Sequence, residues 1–166
     1  MKGRLRKLMT GPPIYGISHT SFSESVQFLA RSRIRGGIFG LRGSAPAFLV
    51  AAAVRHGARF ILSVHPDGES ALKMAADVKF FLGEDEENPH PLHDSVVVYP
   101  STDTVPFSFS GLDTDVWVAR MALLYRLAEQ SPPRVVCVGL DSLIRKIIPR
   151  HALLERSFSL RVGDFI

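Results

Sequence analysis

Apolar residues along the chain fall into two patterns that alternate: stretches with helical spacing, and short unbroken runs of strand type. Ser21-Phe22-Ser23-Glu24 is a capping box, in which hydroxyl and carboxylate each bond the other's backbone amide, and it opens a helix reaching about Ala30. A short strand is expected at Gly37 to Leu41. Ser44 then caps a helix whose inward residues are Phe48, Leu49, Ala51, Ala52, Ala53 and Val54, stopped at His56-Gly57. Arg59 to Val64 reads as a buried strand. After His65-Pro66, Asp67 begins a helix carrying Ala71, Leu72, Ala75, Val78, Phe81 and Leu82 inward, with Gly83 as its stop.

Ser95 to Tyr99 is the next strand, ended by Pro100. A loop runs to about Leu112, and a helix follows from about Thr114 to Ala128 with Val118, Met121, Ala122, Leu124, Tyr125 and Leu127 inward. Ser131-Pro132-Pro133 breaks it. The pattern continues with a strand at Arg134 to Val138, a short helix at Asp141 to Ile148 ended by Pro149, and a last, alternating strand at Ser157 to Val162. Strands that alternate with helices and are almost wholly apolar predict an α/β fold: three layers, a mainly parallel sheet with helices on both faces.

At 166 residues, the chain is long enough for one domain with a real core, and 46% apolar with 22% charged is ordinary soluble composition. Cys137, the single cysteine, lies in an apolar run and reads as a small core residue in a reducing setting. The apolar, uncharged run Gly43 to Val54 is shorter than the roughly 18 residues of a membrane span. No apolar leader follows Met1-Lys2-Gly3-Arg4, so a cytoplasmic location and no membrane partner are expected. Basic residues gather at Lys2, Arg4, Arg6 and Lys7 and again at Arg31, Arg33, Arg35 and Arg42, within a net charge of +4. Such clusters either meet nucleic acid weakly or form a solvated face; no aromatic stacking platform or recognition-helix motif accompanies them.

The stretch with the clearest chemistry is Gly40-Leu41-Arg42-Gly43-Ser44-Ala45-Pro46-Ala47. A working phosphate loop reads G-x-x-x-x-G-K-[ST], with amides around the phosphates, a lysine on the β/γ oxygens and a hydroxyl on Mg²⁺. Gly40 has its place. Ala45, Pro46 and Ala47 stand where the glycine, the lysine and the hydroxyl belong, and Pro46 also removes an amide, so Mg-ATP binding and a nucleotide cofactor are not expected. The plainer alternative is that Gly40 and Gly43 make a tight strand-to-helix turn.

Three segments together carry a family pattern: GLRGSAPAFLV at 40 to 50, VVVYPSTDTVPFSFSGLDTDVWVARMALLYRL at 96 to 127, and VVCVGLDSLIRKIIP at 135 to 149. The set resembles the N-terminal domain of the bacterial transcription-repair coupling factor, whose first modules are homologous to the excision-repair helicase UvrB. The resemblance rests on Tyr99-Pro100, on Asp103-Thr104-Val105-Pro106-Phe107 with Val105 in place of the usual Leu, and on Arg120 to Leu127 including Tyr125. It implies a RecA-like subdomain over residues 37 to 166, its nucleotide loop degenerate; residues 1 to 36 lie outside the likeness and read as a basic, helical extension. It also implies a non-catalytic scaffold in transcription-coupled excision repair. UvrA and RNA polymerase would be indirect partners, through modules that in the family follow the position of Val162.

The remaining constellations are weaker. Asp141 follows the strand at Val135 to Val138, but Gly139-Leu140 intervenes and Ser142 replaces an acidic partner, so Asp141 is expected to cap the next helix and not to hold Mg²⁺. His90 and His93 have metal-compatible spacing, with Pro91 between them and no cysteine nearby; a loop role is expected and no metal. Neither Ser44 nor Ser142 lies in G-x-S-x-G, and no catalytic residue is expected. Asp103, Asp113 and Asp115 are read as loop and helix-start charges. An atypical nucleotide-binding enzyme and a basic nucleic-acid-binding domain are the alternative readings.

Overall fold

A computed structural model describes residues 21–31, 36–84, 94–101, 114–129 and 132–157. The elements are α1 (Phe22–Arg31), α2 (Ala45–Arg55), β1 (Ile61–His65), α3 (Gly68–Leu82), β2 (Val96–Tyr99), α4 (Thr114–Ala128), β3 (Val135–Gly139), α5 (Leu140–Leu143) and α6 (Arg150–Glu155). The strands form one parallel sheet in the order β1-β3-β2, with Ile61 and Val96 both opposite Val135. The α/β class and the parallel sheet are therefore as the pattern predicts.

Chain direction explains the layering. From β1 the chain crosses over β3 to reach β2, then turns back to β3, and right-handed crossovers in opposite directions must lie on opposite faces. On one face Ala71, Ala75 and Val78 of α3, with Ala47, Val50, Ala51 and Val54 of α2, pack against Val96, Val135 and Cys137. On the other, Leu123 and Leu124 of α4 pack against Tyr99, Val136 and Val138. Central β3 is buried throughout.

Local chemistry sets the helix ends. Ser21 N–H donates to Glu24 Oε2 at 2.9 Å and Glu24 N–H to Ser21 Oγ at 3.3 Å, which completes the capping box. Asp67 Oδ1 accepts from Ser70 N–H at 2.7 Å, and Gly83 closes α3 in the left-handed conformation. That bond to Ser70 holds the Asp67 carboxyl below its ordinary value of 3.8. A depressed carboxyl stabilises the fold above its unfolded value and loses that contribution as pH falls through the folded one. Asp67→Asn, which keeps the cap but not the charge, is therefore expected to melt slightly below the parent at pH 7, with the gap closing below about pH 4. Thermal melts at pH 7 and pH 3 read this; a gap as wide at pH 3 as at pH 7 contradicts it.

Several expectations fail for physical reasons. Residues 37 to 41 form no strand: Gly40 takes φ +83°, outside the extended region, and Phe39 is exposed. β1 is not a buried strand, because it lies at the sheet edge and α4 does not cover it, so Leu62 and Val64 are each 49% exposed. Leu72 of α3 and Val118 and Leu127 of α4 face outward. Phe48 is half-exposed, stacked on Phe22 and edge-on to Phe81. The helix expected at Asp141 to Ile148 is only α5, starting one residue earlier, while α6 has no counterpart in the apolar pattern. The strand expected at Ser157 to Val162 lies beyond Ser157 outside the described residues.

Candidate functional site at the carboxyl edge of the sheet

Ligands of doubly wound sheets bind outside the carboxyl ends of the strands, where the chain reverses direction. Here β1 ends at His65, β2 at Tyr99-Pro100-Ser101 and β3 at Gly139, and Asp67-Gly68 opens α3 beside them. The crevice is occupied by the protein's own groups. A Cβ built on Gly139 would lie 2.8 Å from both Asp67 C and Gly68 N, so the end of β3 sits directly against the start of α3. The Ser101 hydroxyl donates to Asp141 Oδ2, and the Ser142 hydroxyl, 1% exposed, donates to Pro100 O at 3.4 Å.

Asp141 is not the helix cap. Gly139 holds that position, and Asp141 lies inside the first turn of α5 with its carboxylate turned toward β2. Its Oδ1 is buried and has no hydrogen-bond partner among the described residues. His65 Nε2 lies 2.8 Å from the Ser63 hydroxyl; burial pushes the imidazole below its ordinary 6.5, partly opposed by Asp67. Among the described residues no group of His, Cys, Asp and Glu is placed to hold a metal ion. Within the described residues the Asp141 carboxylate is held by the Ser101 hydroxyl, and the coupled pair at this edge is His65 with Asp67.

The altered phosphate loop does not contribute to this edge. Phe48, in the first turn of α2, contacts Phe81 in the last turn of α3, so the loop lies toward the end of α3 away from Asp67. Gly40 and Gly43 take φ +83° and +57°, and Ala45 N–H donates to Arg42 O at 3.1 Å, closing a tight turn. Ser44 precedes the helix but its side chain makes no capping bond. Ala47, where a working loop places its Mg²⁺-binding hydroxyl, is 1% exposed and belongs to the core.

Of the family-motif residues, Asp103, Thr104, Pro106 and Phe107 lie outside the described residues, as do Asp113, His90 and His93. Arg120 is 4% exposed: its Nε donates to Tyr99 Oη at 3.1 Å and its Nη1 to Pro100 O at 3.4 Å. Its guanidinium carbon also sits 4.5 Å from the Tyr99 ring centre and 5.8 Å from that of Trp117. The Tyr125 hydroxyl donates to Glu129. An open apolar groove of about 680 Å³ between α4 and α6 is lined by Trp117, Val118, Met121, Tyr125, Ile148 and Leu153, among others.

Arg126 plays the matching part at the other end of β2. Its Nη2 donates to Asp94 O at 3.0 Å, while the Asp94 carboxylate meets Lys79 of α3 at 3.1 Å. Burial lowers the Arg126 pKa, and the nearby Asp94 charge opposes the shift. Two arginines six residues apart on α4 thus hold the carbonyls at both ends of one strand. A pattern of apolar positions does not reveal this, since it places charge on the outer face. The sequence signal is their spacing within a helix whose other buried positions are Leu123 and Ala128. Cys137 is buried, its thiol pushed up to about 11 by burial, which makes it a core residue and not a nucleophile.

No helix among the described residues is long and apolar enough to cross a membrane. Comparison of the chain with family models, with curated proteins and with solved structures finds no match.

Proposed function

We propose that the chain is a non-catalytic, RecA-like scaffold module of the transcription-repair coupling factor type, acting in transcription-coupled excision repair beside modules that recruit UvrA and engage RNA polymerase. The observation that carries the reading is the position of Ala47. At the place where a nucleotide loop presents a hydroxyl to Mg²⁺, this chain directs a methyl group into the core between α2, α3 and the sheet. Lysine is absent as well, and the carboxyl edge is closed by Ser101, Asp141 and Ser142. The contact between Arg120 and Tyr99-Pro100 supports the family reading, because it joins residues on which the resemblance rests.

The test is calorimetry with Mg-ATP on the parent and on the triple variant Ala45→Gly, Pro46→Lys, Ala47→Thr. Neither is expected to bind or hydrolyse ATP. The variant should also be less stable, by roughly 1–3 kcal/mol, since Ala47→Thr brings a hydroxyl and extra volume into a packed site. Mg-ATP binding by the parent would favour the nucleotide-enzyme reading and end this one. Tight binding to duplex DNA that weakens steeply with salt would instead favour the nucleic-acid-binding reading.

A further inference from the structure

We propose that the groove between α4 and α6 receives an acidic amphipathic helix of a partner protein, its apolar stripe on Trp117, Val118 and Met121 and its carboxylates along the α6 side. The proposal rests on this surface alone and does not depend on the coupling-factor reading.

The groove follows from how α4 divides its surface. Arg120, Leu123 and Arg126 turn one side of the helix toward the sheet. Thr114, Trp117, Met121 and Tyr125, three or four residues apart, line up on another side and face the groove. That row spans about 16 Å, or roughly three helical turns. Ile148 and Leu153 belong to the opposite wall. Trp117 is nevertheless half-exposed and Val118 is 62% exposed. The open apolar surface continues along the chain that leads to Ile148, through Leu143, Ile144 and Ile147, of which Ile144 is 80% exposed. A contiguous patch of this kind marks an interaction site, whereas single exposed apolar residues do not.

Shape and charge choose the occupant. A concave groove between two helices takes the side chains of a third helix laid along it, and a flat lipid surface does not enter it. Tryptophan, tyrosine, methionine and arginine are the residues enriched where proteins meet, and Trp117, Tyr125, Met121 and Arg156 all line this groove. Arg156 is exposed and is the charged residue of the lining. From Leu140 to Ser157 the chain carries Arg145, Lys146, Arg150 and Arg156 against Asp141 and Glu155, and the Asp141 carboxylate already accepts from Ser101. Across the groove, Glu129 accepts from the Tyr125 hydroxyl and Asp115 stands in the first turn of α4. The α6 side is thus the cationic one, and it selects carboxylates. A second copy of the chain, docked groove to groove about a two-fold axis, would set these cations against each other.

Trp117, the single tryptophan, reports binding to the whole chain. The probes are two synthetic peptides of about 18 residues with leucines at helical spacing and no tryptophan, one carrying glutamates on its polar face and the other lysines. The glutamate peptide should shift Trp117 emission to shorter wavelength and saturate at one peptide per chain. Its affinity should exceed that of the lysine peptide by about 10-fold or more, with a preference that shrinks as salt rises. Val118→Glu and Arg156→Glu, both at exposed positions, should each weaken the glutamate peptide about 10-fold. No emission shift up to about 1 mM glutamate peptide overturns the proposal. So does equal affinity for the two peptides, or binding that either variant leaves unchanged. Trp117 emission that acrylamide cannot quench in the peptide-free chain also overturns it, since part of this chain then fills the groove. Peptide-free emission that depends on protein concentration assigns the groove to a second copy instead. A shift given by anionic phospholipid vesicles and not by the glutamate peptide assigns the patch to a membrane surface, and either result sinks the proposal.

Discussion

Gly139→Val is expected to lower unfolding stability by about 3 kcal/mol or more, with Gly139→Ala only slightly milder, at the top of the range for overpacking. The reason is what a side chain at this position would meet. Its Cβ would fall 2.8 Å from Asp67 C and 2.8 Å from Gly68 N, and closer still to the Asp141 carboxylate. The carboxylate can rotate away. The backbone at the start of α3 cannot, because Asp67 is fixed by β1 on one side and by its cap to Ser70 on the other. Relief would require separating β3 from α3, and the buried contacts of Val135 and Cys137 with Ala71, Ala75 and Val78 would be lost.

Gly43→Ala is the control: its Cβ meets nothing within 4 Å, so its cost is the left-handed backbone alone, about 1–2 kcal/mol. Urea titration of the variants, followed by far-UV circular dichroism, reads the difference. Equal midpoints for Gly139→Val and Gly43→Ala would mean that β3 and α3 are not in close contact.

The carboxyl edge, with Gly139 at its centre, also marks where sequence reading stops. Asp67 to Gly83 is legible end to end, because an acidic N-cap, apolar spacing and a terminal glycine are all local signals. The capping box at Ser21 and Glu24 is legible for the same reason. The run Val135 to Val138 announces a buried strand, and β3 is indeed the central one. Arg59 to Val64 looks similarly apolar, yet β1 is an edge strand, since strand order is fixed by crossovers and not by composition. Asp141 has the form of a cap. Its carboxylate accepts from Ser101, just past the end of β2, a pairing across forty residues that no local pattern encodes. Ala47 reads as a lost metal ligand, which is a statement about chemistry; its burial is a statement about packing, visible only once α2 lies on α3.

The arginines of α4 are the part of the site that apolar periodicity conceals, and Arg120→Ala should cost about 2–4 kcal/mol, comparable to deleting a large core side chain. Three losses coincide: packing volume on the α4 face, the bond to Tyr99 Oη, and the bond to Pro100 O. Pro100 O keeps the Ser142 hydroxyl as a donor, while losing the donor to buried Tyr99 Oη carries a penalty of about 1–3 kcal/mol, moderated where water enters beside half-exposed Trp117.

Arg120→Lys should recover little, since a single ammonium cannot both reach Tyr99 and Pro100 and lie flat against aromatic rings. Trp117 is the chain's one tryptophan, so its emission reports directly on the site and should shift in Arg120→Ala before any unfolding. If Arg120→Ala keeps the parent's urea midpoint and Trp117 emission, the guanidinium is not part of the packed interior, and Arg120 belongs to a partner-binding surface. If both change together, the Arg-centred motif on which the coupling-factor reading rests is a clamp that seats α4 on β2. That role demands arginine, and it requires neither nucleotide nor catalysis.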